Sequence, residues 1–194
     1  MATTSHSLLD RVRQGADSAA WQRLNDLYAP LIRNWIGRQN VAGADADDVA
    51  QDVLVVVLRK LPAFEHSGQT GAFRSWLRSI TVNCLRDFWR TQRLRPATAG
   101  DSSFATAIEQ LADEDSELSR RWNDEHDRLI TRRLLEQIRP AFEDVTWRAF
   151  ERAALDGAVP GDIAAELGIS VASVYAAKSR VLARLRQDAA GLID

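Results

Sequence analysis

The sequence predicts an all-α protein built as two helical domains joined by an acidic linker. Apolar side chains recur three and four residues apart along most of the 194 residues, and no segment shows the clean two-residue alternation of a half-buried strand. With 45% hydrophobic residues the chain can build a sizeable core, and with 5 Pro and 10 Gly it is neither loop-rich nor fibrous. Charge is the third observation. The formal net charge is -2, yet residues 61–96 carry net +4, residues 97–127 net -7 and residues 128–194 net +1. Positive stretches flank an acidic middle, which points to a polyanionic partner and to a linker between two folded parts.

The elements follow in order. "SAAWQRLNDLYAPLIRNWIGRQ" sets Trp21, Leu24, Leu27, Tyr28, Leu31, Ile32 and Trp35 on one helical face. Pro30 lies inside this pattern and is expected to kink or split the helix. "DADDVAQDVLVVVLRKL" begins with acids and ends with Arg59-Lys60, the charge order of a helix, although its run from Val53 to Leu58 is rich in β-branched residues. Pro62 stops it. A turn-rich loop over 64–73 leads into a long helix from about Ala72 to about Arg93. Its inward stripe is Phe73, Leu77, Ile80, Cys84 and Phe88, while Trp76, Asn83, Arg86, Asp87 and Arg90 lie largely off that stripe. Residues 95–115 lose periodicity and form the linker, with a short helix over 104–111. Leu118, Trp122, Leu129, Leu134 and Ile138 restore the pattern. Pro140 is placed to open a helix carrying Phe142, Val145, Trp147, Phe150 and Leu155, which Gly157 ends.

The last fifty residues carry the clearest motif. A short helix, 160–167, precedes Gly168, which permits a left-handed turn, and Ser170, a good N-cap. The following helix turns Val174, Ala177, Val181 and Leu185 inward. Ser173, Ala176, Arg180 and Arg184 face outward, and residues 168–186 hold four basic side chains and no acid. Two helices joined by a glycine turn, the second basic, make a helix-turn-helix. Lys178, Arg180, Arg184 and Arg186 are expected to face phosphates, with the helix N-terminus in the major groove.

Residues 160–186 resemble the carboxy-terminal helix-turn-helix of bacterial sigma factors. Residues 44–93 resemble the other sigma hallmark: "DADDVAQDVLVVVLRKL" is similar to the polymerase-binding helix and "FRSWLRSITVNCLRDFWR" to the promoter-melting helix. Their order, the acidic segment between them and the length resemble the extracytoplasmic-function (ECF) group. The resemblance implies a sigma-two-like bundle over 1–94, an acidic linker over 95–115 and a sigma-four-like helix-turn-helix over 116–194. It assigns docking on core RNA polymerase to Asp48, Gln51 and Asp52. It assigns the non-template strand to Trp76, Asn83, Arg86, Asp87 and Arg90, through base stacking and phosphate contacts. Promoter DNA falls to Ser170, Ser173, Tyr175, Ala176, Lys178, Arg180 and Arg184. An anti-sigma factor is a common partner in the group. One departure stands out: residues 172, 176 and 177 are alanines, Tyr175 replaces a common lysine and Lys178 a usual apolar residue. Alanine contact with thymine methyls and DNA shape are then favoured over readout by long side chains.

Several functions are set aside. No stretch approaches the roughly 20 apolar residues needed to span a bilayer, and "MATTSHSLLDRVRQG" lacks an apolar signal core, so a cytoplasmic location is expected. Cys84 is the only cysteine, which excludes an intramolecular disulfide. His6, His66 and His126 lack metal-ligand spacing. No metal, cofactor or catalytic residue is expected. Three alternatives remain open at this point. A helix-turn-helix regulator acting without polymerase leaves "DADDVAQD" unexplained. An enzyme holding magnesium on Asp48 and Asp52, one turn apart, lacks the second acidic cluster such sites need. The third is a helical scaffold.

Overall fold

A computed structural model of the chain describes residues 7–14, 17–39, 41, 43–65, 71–93 and 102–193. His6, residues 66–70 of the loop over 64–73, His66 among them, and the linker residues 95–101 lie outside them. Among the described residues all regular structure is helical: α1 (Leu8–Arg13), α2 (Ser18–Arg38), α3 (Ala44–Lys60), α4 (Ala72–Arg93), α5 (Ser102–Ala112), α6 (Glu117–Ile138), α7 (Asp144–Phe150), α8 (Pro160–Leu167) and α9 (Val171–Ala189).

α2 runs unbroken through Pro30, so the expected split does not occur. Asp17 caps it, accepting from the Ala20 amide at 2.8 Å, and seven of the eight buried positions lie from Leu24 to Ile36 on the side facing the other helices. Fully burying side chains of this size contributes about 1.5–3 kcal/mol each, enough to hold a helix through one lost backbone hydrogen bond. α3 is helical despite its valines because Val49, Val53 and Val57, spaced by four, make one buried stripe. Pro62 sits in a single 3-10 turn, Leu61–Ala63, at its end.

Pro140 behaves differently from the expectation. It lies in a 3-10 turn, Arg139–Ala141, Phe142 is extended, and α7 starts only at Asp144. The turn lets Phe142 fold back, with its ring 6.2 Å from that of Trp147. α7 then widens into one π-helical turn, Glu151–Leu155, before Gly157. Of the apolar residues named for this stretch, Val145 and Leu155 are exposed.

The apolar packing does not divide where the linker lies. One core draws on α1 to α5 and continues into α6 through Trp122, Ile130 and Leu134, each 0% exposed. Trp122 meets Trp35 of α2 at a centroid distance of 5.0 Å. Two smaller clusters hold α7 to α9 together, and Ile138, the last residue of α6, belongs to one of them. α6 therefore passes from one core into the other without a break.

Candidate functional site

α3 presents the acids that the sequence singles out. Asp45 and Asp47 occupy its first turn, where the helix dipole favours negative charge. Asp48, Gln51 and Asp52 are exposed. Gln51 lines a cleft of about 570 Å3 between α2 and α3, together with Trp21, Leu54, Val55 and the Arg33–Asp47 ion pair at 2.8 Å. Asp52 instead lines a hollow of about 440 Å3 between α3 and α4, shared with Arg59, Cys84, Asp87 and Phe88. Burial, reinforced by Asp52 and Asp87, pushes the Cys84 thiol up to about 11, which keeps it protonated at neutral pH. Val55 and Leu58 lie exposed on the same helix. The outer side of α3 is thus an apolar ridge with a cleft on each flank and carboxylates at its amino-terminal half.

α4 sorts its side chains by face. Phe73, Leu77 and Ile80 are buried, whereas Asn83, Arg86, Asp87 and Arg90 are exposed. Asp87 and Arg90 pair at 3.2 Å in solvent, a contact weak enough to be exchanged for a nucleic-acid or protein partner. Trp76 is half-buried, with its ring 4.8 Å from Phe64 and 5.5 Å from Phe73, so much of its surface belongs to an aromatic cluster. Two arginines of this basic stretch point elsewhere. Arg74 pairs with Asp127 at 2.6 Å and Arg78 with Glu114 at 2.9 Å, so acids of 113–127 neutralise part of the positive charge of α4 within the chain.

The helix-turn-helix is built as its sequence suggests. Gly168 has φ 64° and ψ 33°, the left-handed conformation in which a Cβ is strained. Ser170 caps α9 by accepting from the Ser173 amide at 3.0 Å, and the two hydroxyls lie 2.8 Å apart. Ser173 is therefore partly engaged in the cap. Tyr175 and Ala176 are exposed on the first two turns. The basic residues behave less uniformly than expected. Lys178 is half-buried and donates to the Ala153 carbonyl at 3.4 Å, in the π turn, rather than standing in solvent. Arg180 is exposed and donates to Thr146 Oγ1 at 3.4 Å. Arg184 pairs with Asp188 at 3.2 Å.

Sequence reasoning missed Asp188, Thr146 and the Ala153 carbonyl. The four-residue spacing from Arg184 to Asp188 was a legible signal; the other two partners come from α7 and its π turn. Among the described residues no group of three or more His, Cys, Asp or Glu side chains is placed to hold a metal ion, and no helix is long and apolar enough to cross a membrane.

Comparison with known proteins bears on these faces. Residues 24–95, from α2 to just past α4, match the family described as Sigma-70 region 2. The ECF RNA polymerase sigma factor BldN of Streptomyces coelicolor is 27% identical over 143 residues, 68% of this chain and 53% of that protein. The RNA polymerase sigma factor CarQ of Myxococcus xanthus is 29% identical over 161 residues, 79% of this chain and 85% of that one. The ferric citrate uptake sigma factor FecI of Escherichia coli is 27% identical over 164 residues, covering 84% and 87%. The chain thus spans about half the length of BldN and most of the other two.

Proposed function

The chain belongs to the extracytoplasmic-function group of RNA polymerase sigma factors, and on that premise we propose how its exposed faces serve transcription initiation. α3 docks core RNA polymerase, with Asp48, Gln51 and Asp52 meeting partner donors beside the apolar ridge of Val55 and Leu58. The outer face of α4, with Asn83, Arg86, Asp87 and Arg90, holds the opened non-template strand, and the free part of Trp76 adds stacking. α9 reads the upstream promoter duplex through Tyr175, Ala176 and Arg180, with Ser170 and Ser173 fixing its first turn. Lys178 is reassigned from phosphate contact to holding α9 on the π turn.

The observation that carries this reading is a coincidence of position. The segment matching Sigma-70 region 2 is the one whose α3 and α4 expose these side chains instead of burying them. In functional terms residues 1–94 bind and open, residues 95–115 link, and residues 116–194 read duplex DNA, although α6 is packed with the first part. The protein acts beside polymerase in the cytoplasm as a non-catalytic subunit. An anti-sigma factor able to cover α3 or α9 is its expected regulator. A regulator acting without polymerase leaves the exposed acids of α3 without a role.

The test uses the full chain. Mixed with core polymerase it is expected to co-elute on a sizing column and to support run-off transcription from genomic fragments. Duplex binding by the chain alone, with no shift of core polymerase, would favour the regulator instead.

A further inference from the structure

Asp188 has no part in the faces described above, yet it is 3% exposed near the end of α9. Its Oδ2 accepts two hydrogen bonds. Arg184 Nε donates from one turn back at 3.2 Å, and Arg23 Nη2 donates from α2 at 2.9 Å. Arg23 is itself braced on α6: its Nε donates to Gln137 Oε1 at 3.2 Å, and Gln137 Nε2 donates to the Arg23 carbonyl at 3.3 Å. Just beyond, the chain turns and places Leu192, 1% exposed, in the amino-terminal core. A carboxylate removed from water is tolerated when charged donors satisfy it, and here the two donors come from the two parts of the molecule.

Arg184 lies one turn beyond Arg180 on the side of α9 that looks away from its own core. Arg184 gives Asp188 one N–H, from Nε, and the carboxylate's charge draws the guanidinium back along α9, so a phosphate has to compete with Asp188 for it. The joint is also the lightest between the two parts. Parting α6 from the amino-terminal bundle would expose Trp122, Ile130 and Leu134, each fully buried, whereas parting the end of α9 exposes buried Leu192 together with Leu185, Ala189 and Ile193, which are already partly exposed. The α7–α9 unit has its own apolar clusters, and it joins α6 through the short 3-10 turn Arg139–Ala141 and through Ile138 and Leu135, which pack in one of them.

We propose that Asp188 is a positioning residue that fastens the helix-turn-helix unit to α2 through Arg23 and, standing in for a DNA phosphate, withholds Arg184 until the unit is released. The DNA half of this proposal rests on the helix-turn-helix reading above; the fastening half does not.

Two measurements on the full chain test it. With Cys84→Ala, Ser79→Cys and Ala172→Cys, spin labels on the exposed faces of α4 and α9 report the distance between the two parts. The parent is expected to give one narrow distribution. Asp188→Asn and Arg23→Gln should each broaden it, and Arg186→Gln, an exposed control, should not. In the second measurement the variants are eluted with salt from an immobilised duplex. Asp188→Asn should elute later than the parent, with a salt slope steeper by about one unit, the signature of one more phosphate contact. Arg23→Gln leaves the Arg184–Asp188 pair intact and should open the chain without that change in slope. In an Arg184→Ala chain, Asp188→Asn should leave the slope unchanged, which separates release of Arg184 from the mere loss of a negative charge. A broad parent distribution, or a narrow one in Asp188→Asn and Arg23→Gln, overturns the fastening role. An unchanged slope in Asp188→Asn, while Arg180→Ala still weakens retention, overturns the withholding of Arg184 and leaves the helix-turn-helix reading standing. Indifference of retention to Arg180→Ala as well as to Asp188→Asn sinks that reading and the DNA half of the proposal together. If Asp188→Asn does not fold, Arg23→Gln decides the fastening role and Asp188→Glu, judged by its slope, decides the other.

Discussion

Tyr28, His126, Asp127 and Arg74 form a polar chain through the place where α6 meets α2 and α4. The Tyr28 hydroxyl lies 3.1 Å from His126 Nε2, His126 Nδ1 lies 2.9 Å from Asp127, and Arg74 closes the chain on Asp127. Burial lowers the His126 pKa below 6.5, an effect its hydrogen bond to Asp127 only partly offsets. Burial raises Asp127, but the hydrogen bonds from His126 and Arg74 outweigh it and hold the carboxyl below 3.8. Both groups bind protons less readily folded than unfolded. Their stabilisation is present above the unfolded values and is lost as pH falls, first through His126 below 6.5 and then through Asp127 below 3.8. Thermal unfolding is therefore expected to shift to lower temperature between pH 7 and pH 5, with at most about 1.4 kcal/mol per pH unit for one proton. His126→Gln, which can still meet Tyr28 and Asp127, should flatten that dependence; an equally steep profile in the variant would remove His126 from the account. The sequence showed His126 only as a lone histidine, since Tyr28 on α2, and Arg74 on α4 that holds the adjacent Asp127, are distant in the chain. Asp48 and Asp52, by contrast, were legible as exposed acids from their spacing at a helix start. Reversing both to Lys should weaken core polymerase binding by about 2–5 kcal/mol if the pairs they make are desolvated. The fold should survive, so a binding titration with circular dichroism as control decides the point.

At the scale of elements, helices with one strong stripe were legible almost to the residue. α4 runs over Ala72–Arg93 as its apolar spacing predicts, and α8 over Pro160–Leu167, where a proline at the start and a glycine at the end mark the bounds. Where backbone bonding departs from the α pattern, the sequence was silent. Nothing in "ERAAL" announces a π turn, and that turn supplies the carbonyl that Lys178 meets. In a π turn the backbone amides pair five residues back, as Asp156 does with the Glu151 carbonyl, and Lys178 meets the Ala153 carbonyl nearby. A lysine read as a phosphate contact thus joins α9 to the turn after α7. Lys178→Gln is expected to lower the unfolding temperature and leave the salt dependence of DNA binding unchanged. Arg180→Ala should do the reverse, reducing the slope by about one unit while stability holds. Measuring both variants against a range of salt concentrations separates the roles; a reduced slope in Lys178→Gln would return that residue to the DNA face.

For the whole molecule, the sequence reading separated two parts by composition, and the packing joins them through α6. The stripe that does so is Ser119, Trp122, His126, Ile130 and Leu134. Two of its members are polar, so a search for apolar spacing registered Trp122 and Leu134 and passed over the face that carries them. The ion pairs across the same contact, Arg38–Glu125 at 2.6 Å among them, explain why the acidic composition of 97–127 looked like a solvated linker: part of that charge is directed at arginines of the bundle.

α6 has a thermodynamic consequence. Its 22 residues contribute Trp122 and Leu134 to one core and Ile138 to another. A helix is cooperative along its length, so loss of the first core frees most of α6 and removes a wall of the second. The two parts should then melt as one. Calorimetry is expected to show a single transition whose calorimetric and van't Hoff enthalpies agree, and circular dichroism and tryptophan fluorescence should trace the same curve. Two resolved transitions would mean that α6 frays at its carboxy-terminal end before either core yields. A single one would mean that any substitution weakening the Trp35–Trp122 contact is felt in the helix-turn-helix of α8 and α9, through the shared midpoint alone.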